Sequence, residues 1–433
     1  MERKIYSQLL VWKNEEQRKP LILNGVRQCG KTYILKEFGR REYKSLVYAN
    51  FAEDKELPKI FEGGFNVSRI LRSLSALYGV DIAPGKTLVF FDEVQDFPLA
   101  LEALKYFCED APEYHVVVAG SLLGITLHQG VSFPVGKVNT LQLFPMDLEE
   151  FLMAKEEGQL LAAMRDNAFD VVSALHEKCK DLLREYYYVG GMPEVVKAYI
   201  EKGQVNTVRR MQNEILANYA SDFSKHAPLS EVPRINMVWQ SIASQLAKDN
   251  KKFIYGAVKK GGRAKEFEMA IQWLQDAGLV HKVNRCTKPE VPLKFYEDFG
   301  AFKLFLCDCG LMGAIADTAA KDILLGDSIF TEYKGAFTEQ YVLQQMKSAG
   351  IHNIYYYSAD DSRMEMDFVI QQDGALLPIE VKGGTSVKAT SLHNYLKQHT
   401  DIHAIRFSML PYKEQENLTN MPLYSVFLLG KNE

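Results

Sequence analysis

Nowhere in the 433 residues does an uninterrupted apolar run approach the roughly 20 residues that a bilayer span requires. The opening stretch, Met1-Glu2-Arg3-Lys4 followed by Ile5 to Leu10, also lacks the apolar core of a signal peptide. These two absences argue against membrane and secretory classes and set the expectation of a cytoplasmic chain. Cysteine is sparse: six residues, Cys29, Cys108, Cys179, Cys286, Cys307 and Cys309, of which only the last two are close. That is not zinc spacing, and without a secretory signal no disulfide framework is expected. The alternation through Leu304-Phe305-Leu306-Cys307-Asp308-Cys309 reads instead as small buried residues. Charge of one sign is missing too. With 51 Lys and Arg against 55 Asp and Glu the net charge is −4, so a nucleic acid could be met only by a local basic patch. What remains, 47% hydrophobic and 24% charged, is the composition of a globular protein, too long for one core and divisible into two to four domains.

Against that background one stretch stands out. Gly25-Val26-Arg27-Gln28-Cys29-Gly30-Lys31-Thr32 reads G-x-x-x-x-G-K-T, preceded by the apolar Leu21-Ile22-Leu23 and followed by a helical pattern to Phe38. In such a loop Gly25 and Gly30 free the backbone to turn its N–H groups, that of Cys29 among them, toward phosphates. Lys31 neutralises charge, and Thr32 offers a hydroxyl to Mg²⁺. The expected ligands are ATP and Mg²⁺.

A second signature supports hydrolysis. Thr87-Leu88-Val89-Phe90-Phe91 is an apolar strand of a parallel sheet, and it ends in Asp92-Glu93. The strand's carboxyl end falls beside the loop, where Asp92 holds Mg²⁺ through water and Glu93 polarises the attacking water. His115 to Ala119 forms a further strand, and Ser121 after it is a candidate sensor of the γ-phosphate, a Gly-Ser turn being the plainer alternative. Arg40, Arg41 and Lys137 are each able to supply a positive charge to a phosphate.

The expected fold class is α/β: a P-loop NTPase core, a helical lid, a winged helix-turn-helix, and a C-terminal α/β domain. Residues 1–150 hold the alternating strands and helices of the core. Asp147 caps a helical region at 151–225 that breaks at Gly190-Gly191-Met192-Pro193. Residues 226–312 read as helices followed by a hairpin of Leu279 to Val283 with Lys303 to Leu306, the wing. Lys251, Lys252, Lys259, Lys260, Arg263 and Lys265 gather here with no acid between Lys251 and Lys265. Of these, Lys259, Lys260, Arg263 and Lys265 are the candidate DNA contacts, although lysines on a solvated turn are ordinary.

The last region, 313–433, carries a third constellation. Asp367 lies in Met364-Glu365-Met366-Asp367-Phe368, then come a turn at Gln371 to Gly374 and the strand Ile379-Glu380-Val381-Lys382. The two-residue period puts Glu380 and Lys382 on one face, and the adjacent strand brings Asp367 beside them. Two carboxylates so placed suit Mg²⁺, with Glu339 on a nearby helix within reach and Lys382 positioning water. The alternative is a hairpin whose Glu380 pairs with Lys382 or Lys388.

Taken in order, the Gly25–Thr32 loop, Phe91-Asp92-Glu93-Val94-Gln95, Ser132 to Val138, Tyr187 to Glu194, and the Glu-Met-Asp-Phe and Ile-Glu-Val-Lys-Gly segments resemble a prokaryotic family of uncharacterised ATPases. The resemblance implies an AAA-type core, a winged helix, and a domain similar to the PD-(D/E)XK nuclease fold. Relatives often have Gly-Arg where this chain has Gly136-Lys137, and a lysine lacks the fork of an arginine finger. It also favours a ring or a dimer, with either DNA or a protein partner for the C-terminal part.

Overall fold

The computed structural model describes residues 1–120, 133–248, 251–324, 334–359, 364–384 and 390–430. Contacts divide the chain into two compact units, one of Glu2–Phe144 with Asp276–Gly278, the other chiefly Pro145–Gln275 and Leu279–Glu433. Among the described residues no helix is long and apolar enough to cross a membrane.

In the first unit five parallel strands form one sheet: β1 (Leu21–Gly25), β2 (Ser45–Asn50), β3 (Thr87–Asp92), β4 (His115–Ala119) and β5 (Asn139–Leu143). Their order is β2-β3-β4-β1-β5. Every residue of β3 and β4 is buried, as a strand covered on both faces requires. That is why both read as unbroken apolar runs. Helices pack on the sheet through one face each. Lys31–Glu42 buries Ile34, Leu35 and Phe38, and Val67–Tyr78 buries Val67, Ile70, Leu71 and Leu74. Phe51, Phe61, Phe91 and Phe107 interlock edge-on or tilted in the core beside β3.

His115 is a buried polar residue in this core, its Nδ1 sharing a 2.7 Å hydrogen bond with the Tyr43 hydroxyl. Burial, with Arg18 and Lys13 nearby, pushes its pKa down to about 4. The folded imidazole is therefore neutral, whereas the unfolded one protonates near pH ~6.5. Stability of this unit should fall as pH drops from about 6.5 toward about 4. Thermal unfolding followed across that range should show a flatter pH dependence for His115→Gln than for wild type.

The second unit is built on eight strands in the order β12-β13-β11-β10-β9-β8-β6-β7. They are β6 (Val280–Cys286), β7 (Glu297–Leu306), β8 (Ile354–Ser358), β9 (Glu365–Gln372), β10 (Ala375–Lys382), β11 (Ala404–Ser408), β12 (Lys413–Gln415) and β13 (Leu418–Pro422). The expected turn between β9 and β10 is present, with Asp373 and Gly374 both at positive φ, 50° and 77°, as a two-residue hairpin demands. The expected wing hairpin is present too, as β6 paired antiparallel with β7. Its strands do not stand apart, because β6 also pairs in parallel with β8. The hairpin is thus the end of the large sheet.

The helices between 148 and 226, expected as a lid, pack within this same unit. Tyr186, on the helix His176–Val189, donates 2.6 Å to the Met146 carbonyl and accepts from the Gln344 and Gln345 amides. Gln345 in turn accepts from the Leu148 N–H at 2.9 Å. The Gly190-Gly191 break is fixed by Asp308, whose carboxylate accepts the Gly191 N–H at 2.6 Å and the Leu311 N–H at 2.9 Å. A Cβ on Gly191 would stand 1.9 Å from the Met146 carbonyl oxygen. Gly191→Ala should therefore destabilise this unit by at least about 2 kcal/mol in denaturant unfolding.

Candidate functional site

The loop that follows β1 is shaped by contacts no larger residue would allow. A Cβ at Gly25 would fall 2.4 Å from the Leu143 carbonyl oxygen on β5. Gln28 and Gly30 take φ of 66° and 97°, the left-handed geometry from which anion-binding nests of backbone N–H groups are made. Cys29 is fully buried, its thiol 3.7 Å from the Leu143 carbonyl, so its side chain packs the loop; its N–H, expected to face a phosphate, donates instead to the Val26 carbonyl at 3.3 Å, and its carbonyl accepts from Arg3 at 2.9 Å.

Lys31 opens the helix Lys31–Glu42 and is buried, its ammonium donating to the Gly25 and Val26 carbonyls at 2.7 and 3.0 Å. The cation is thus held over the loop. Thr32 comes next, and its hydroxyl donates 2.8 Å to Asp92 Oδ2. The sheet places β4 between β1 and β3, so loop and acids are not on neighbouring strands. The helix bridges that gap.

Asp92 is 2% exposed, and it accepts from three neutral donors: the Thr32 hydroxyl, the Tyr48 hydroxyl at 3.0 Å and the Glu93 N–H at 3.1 Å. Burial raises its pKa; the Thr32 bond opposes this, and the neighbouring Glu93 charge adds to it. A desolvated carboxylate beside a hydroxyl gains from a hard, oxygen-seeking cation, so this pair fits Mg²⁺. Glu93 holds a left-handed backbone, φ 52°, uncommon for a residue with a side chain, and its Oε2 accepts from the Gln95 amide. Asn24 Oδ1, Gln28 Oε1 and Gln95 Oε1 are buried without a hydrogen-bond partner. They lie on β1, the loop and the turn after β3, and oxygens of this kind call for donors from a ligand or water.

Tyr48 and Gln95 were not singled out as site residues by sequence. Tyr48 becomes visible only through register, since β2 pairs Tyr48 with Phe90 and Asn50 with Asp92. Ser121 lies outside the described residues, although β4, which leads to it, runs between β1 and β3. Lys137 pairs with Glu109 at 2.8 Å and Arg41 with Glu37 at 2.6 Å, while Arg40 is exposed.

The C-terminal acids do gather. Glu339, on the helix Lys334–Ser348, faces Asp367, whose Oδ2 accepts the Val381 N–H at 2.7 Å beside Glu380. Ammonium groups gather with them. Lys251 is ion-paired to Glu339, Lys303 lies 3.5 Å from Glu339 and 3.3 Å from Glu365, and Lys382 lies 2.5 Å from Glu380. Burial alone would raise Glu339, yet Lys251 and Lys303 hold it down to about 2. Asp367 is pushed well above the usual carboxylate range by burial and by Glu339 and Glu380. Among the described residues no group of three His, Cys, Asp or Glu is arranged to hold a metal ion. The carboxylates expected around a second Mg²⁺ are, in this arrangement, paired with ammonium groups at Glu339 and Glu380.

Of the basic cluster, Lys259, Lys260, Arg263 and Lys265 are exposed, around a turn at Gly261 and the start of the helix Ala264–Asp276. Lys259 is 3.7 Å from Glu266. Lys251 does not belong with them, since it is turned inward to Glu339.

Residues 17–152 match the family model of an AAA domain. Residues 180–322 and 334–426 match two domains of unknown function, DUF8612 and DUF4143. No curated protein matches the sequence. Among solved structures the chain is similar to a Walker-type ATPase of Pyrococcus abyssi at 15% identity, with 73% of this chain and 95% of that one covered and a TM-score of 0.46. It is also similar to the Aeropyrum pernix ORC1 protein in complex with DNA, at 15% identity, 73% and 91% coverage, and a TM-score of 0.28. The chain thus carries an AAA-type ATPase domain and the machinery of a nucleoside triphosphate hydrolase. In an equilibrium nucleotide titration, Lys31→Ala should weaken binding by roughly 10- to 100-fold, the worth of a charge-assisted bond to phosphate.

Proposed function

We propose that this protein is a Mg²⁺-dependent ATPase whose nucleotide state governs the binding of DNA by the second unit. The observation that carries the ATPase part is the Thr32–Asp92 hydrogen bond, which sets a phosphate-loop hydroxyl against a buried carboxylate at the end of β3. Mg²⁺, when bound there, would neutralise phosphate oxygens. Lys31 and the start of its helix receive the phosphates, and Glu93 takes the proton of the attacking water. Gln95 orients Glu93 through its amide.

The DNA part is supported by local geometry. Val232–Leu246, Tyr255–Val258 and Ala264–Asp276 form three successive helices before the β6–β7 hairpin, which is the order of a winged helix-turn-helix. Lys260, Arg263 and Lys265 stand exposed where the third helix begins, so cationic side chains and the helix N-terminus coincide, as phosphate contacts require. The C-terminal carboxylates do not take part in this activity, since ammonium groups already neutralise Glu339.

Steady-state hydrolysis should separate the roles. Glu93→Gln should lower kcat by roughly 10²- to 10⁴-fold while nucleotide affinity persists. Turnover unchanged in Glu93→Gln would remove that residue from the mechanism. DNA binding titrated against salt, with and without ATP, tests the remainder. Lys260→Ala and Arg263→Ala should each reduce the log–log salt slope by about one. Binding that is absent at low salt, or indifferent to these changes, would leave the second unit as a protein-binding module.

A further inference from the structure

The conflict between four carboxylates and three ammonium groups in the second unit leads beyond the nucleotide site. Glu339 is 2% exposed and Lys303 1% exposed, yet both are charged residues in the interior. Lys251 enters from the connection after Val232–Leu246, and Phe253, two residues on, is anchored by its N–H to the Phe302 carbonyl at 2.7 Å. Glu339 thus receives Lys251 on Oε1 and Lys303 on Oε2, while Asp367 and Glu380 approach from the paired strands β9 and β10.

We propose that the Lys251 ammonium is a built-in substitute for a divalent cation at Glu339, Asp367 and Glu380, so that these carboxylates stay metal-free while Lys251 is seated. Its charge arrives on a tether and needs no dehydration of a bound ion. Lys251 ties the segment before Phe253 to the helix Lys334–Ser348, while Lys303 ties β7 to the same helix and, through Glu365, to β9. Removing one partner of a buried pair leaves the other charged group uncompensated, and it is that deficit which a divalent ion could fill.

The experiment is a Mn²⁺ titration of the full chain without nucleotide, followed by calorimetry and by thermal unfolding. It compares wild type with Glu339→Gln, Lys251→Met and the double variant. Any Mn²⁺ bound at the nucleotide site is common to all four. Wild type and Glu339→Gln should bind the same number of ions. Lys251→Met should unfold at lower temperature than wild type, and Mn²⁺ should raise that temperature by an increment absent from the double variant. A Mn²⁺ site in wild type that Glu339→Gln abolishes would overturn the proposal, and this comparison decides even where Lys251→Met does not fold. So would a Lys251→Met protein whose unfolding temperature is unchanged, or is lowered but raised by Mn²⁺ no further than that of the double variant.

Discussion

A carboxylate withdrawn from water must be compensated, and the way each buried acid of this chain is compensated determines what it can do. Asp308 is met by backbone N–H groups and an amide, Asp92 by hydroxyls, and Glu339 by ammonium ions. The first arrangement holds a turn and a helix start together and makes a rigid joint. The second is set against the phosphate-loop hydroxyl of Thr32, so the buried charge stands where a metal between loop and strand would be shared. The third is already neutralised, and its carboxylates serve as anchors.

The rigid joint explains why Pro145–Gln275 and Leu279–Glu433 form one unit. Gln344 accepts the Cys309 N–H and donates to both Asp308 and Tyr186, and Gln340 both accepts from and donates to Leu306 backbone groups. A row of glutamines on one helix thus satisfies backbone groups at the end of β7 and at a helix start. Such a network is worth keeping only when every member is paired, and it fixes the Gly190-Gly191 break at one place. The aromatic and glycine-rich segment from Tyr187 to Glu194 therefore reads as an element of packing.

Much of the nucleotide site was legible because its parts are contiguous. The loop from Gly25 to Thr32 follows its strand directly, and Asp92-Glu93 ends another strand that buries both faces. The β9–β10 turn was legible for the same reason, since Asp373-Gly374 states its own geometry. Long-range pairing was not. The insertion of β4 between β1 and β3, the continuation of the β6–β7 hairpin into β8, and the donation from Tyr48 to Asp92 all depend on register between distant segments. Lys251 is the sharpest case. Along the chain it belongs to a basic run, whereas in space it belongs to Glu339, 88 positions away.

Sequence by itself determined the chemistry of single segments: a phosphate loop, a strand ending in two acids, a tight hairpin, a basic turn. These are set by local propensity and spacing, which act within a few residues. Tertiary structure alone decided which charges meet. It gave Asp92 hydroxyl partners and Glu339 ammonium partners, because electrostatic compensation is a matter of distance and burial, and neither can be read from separation along the chain.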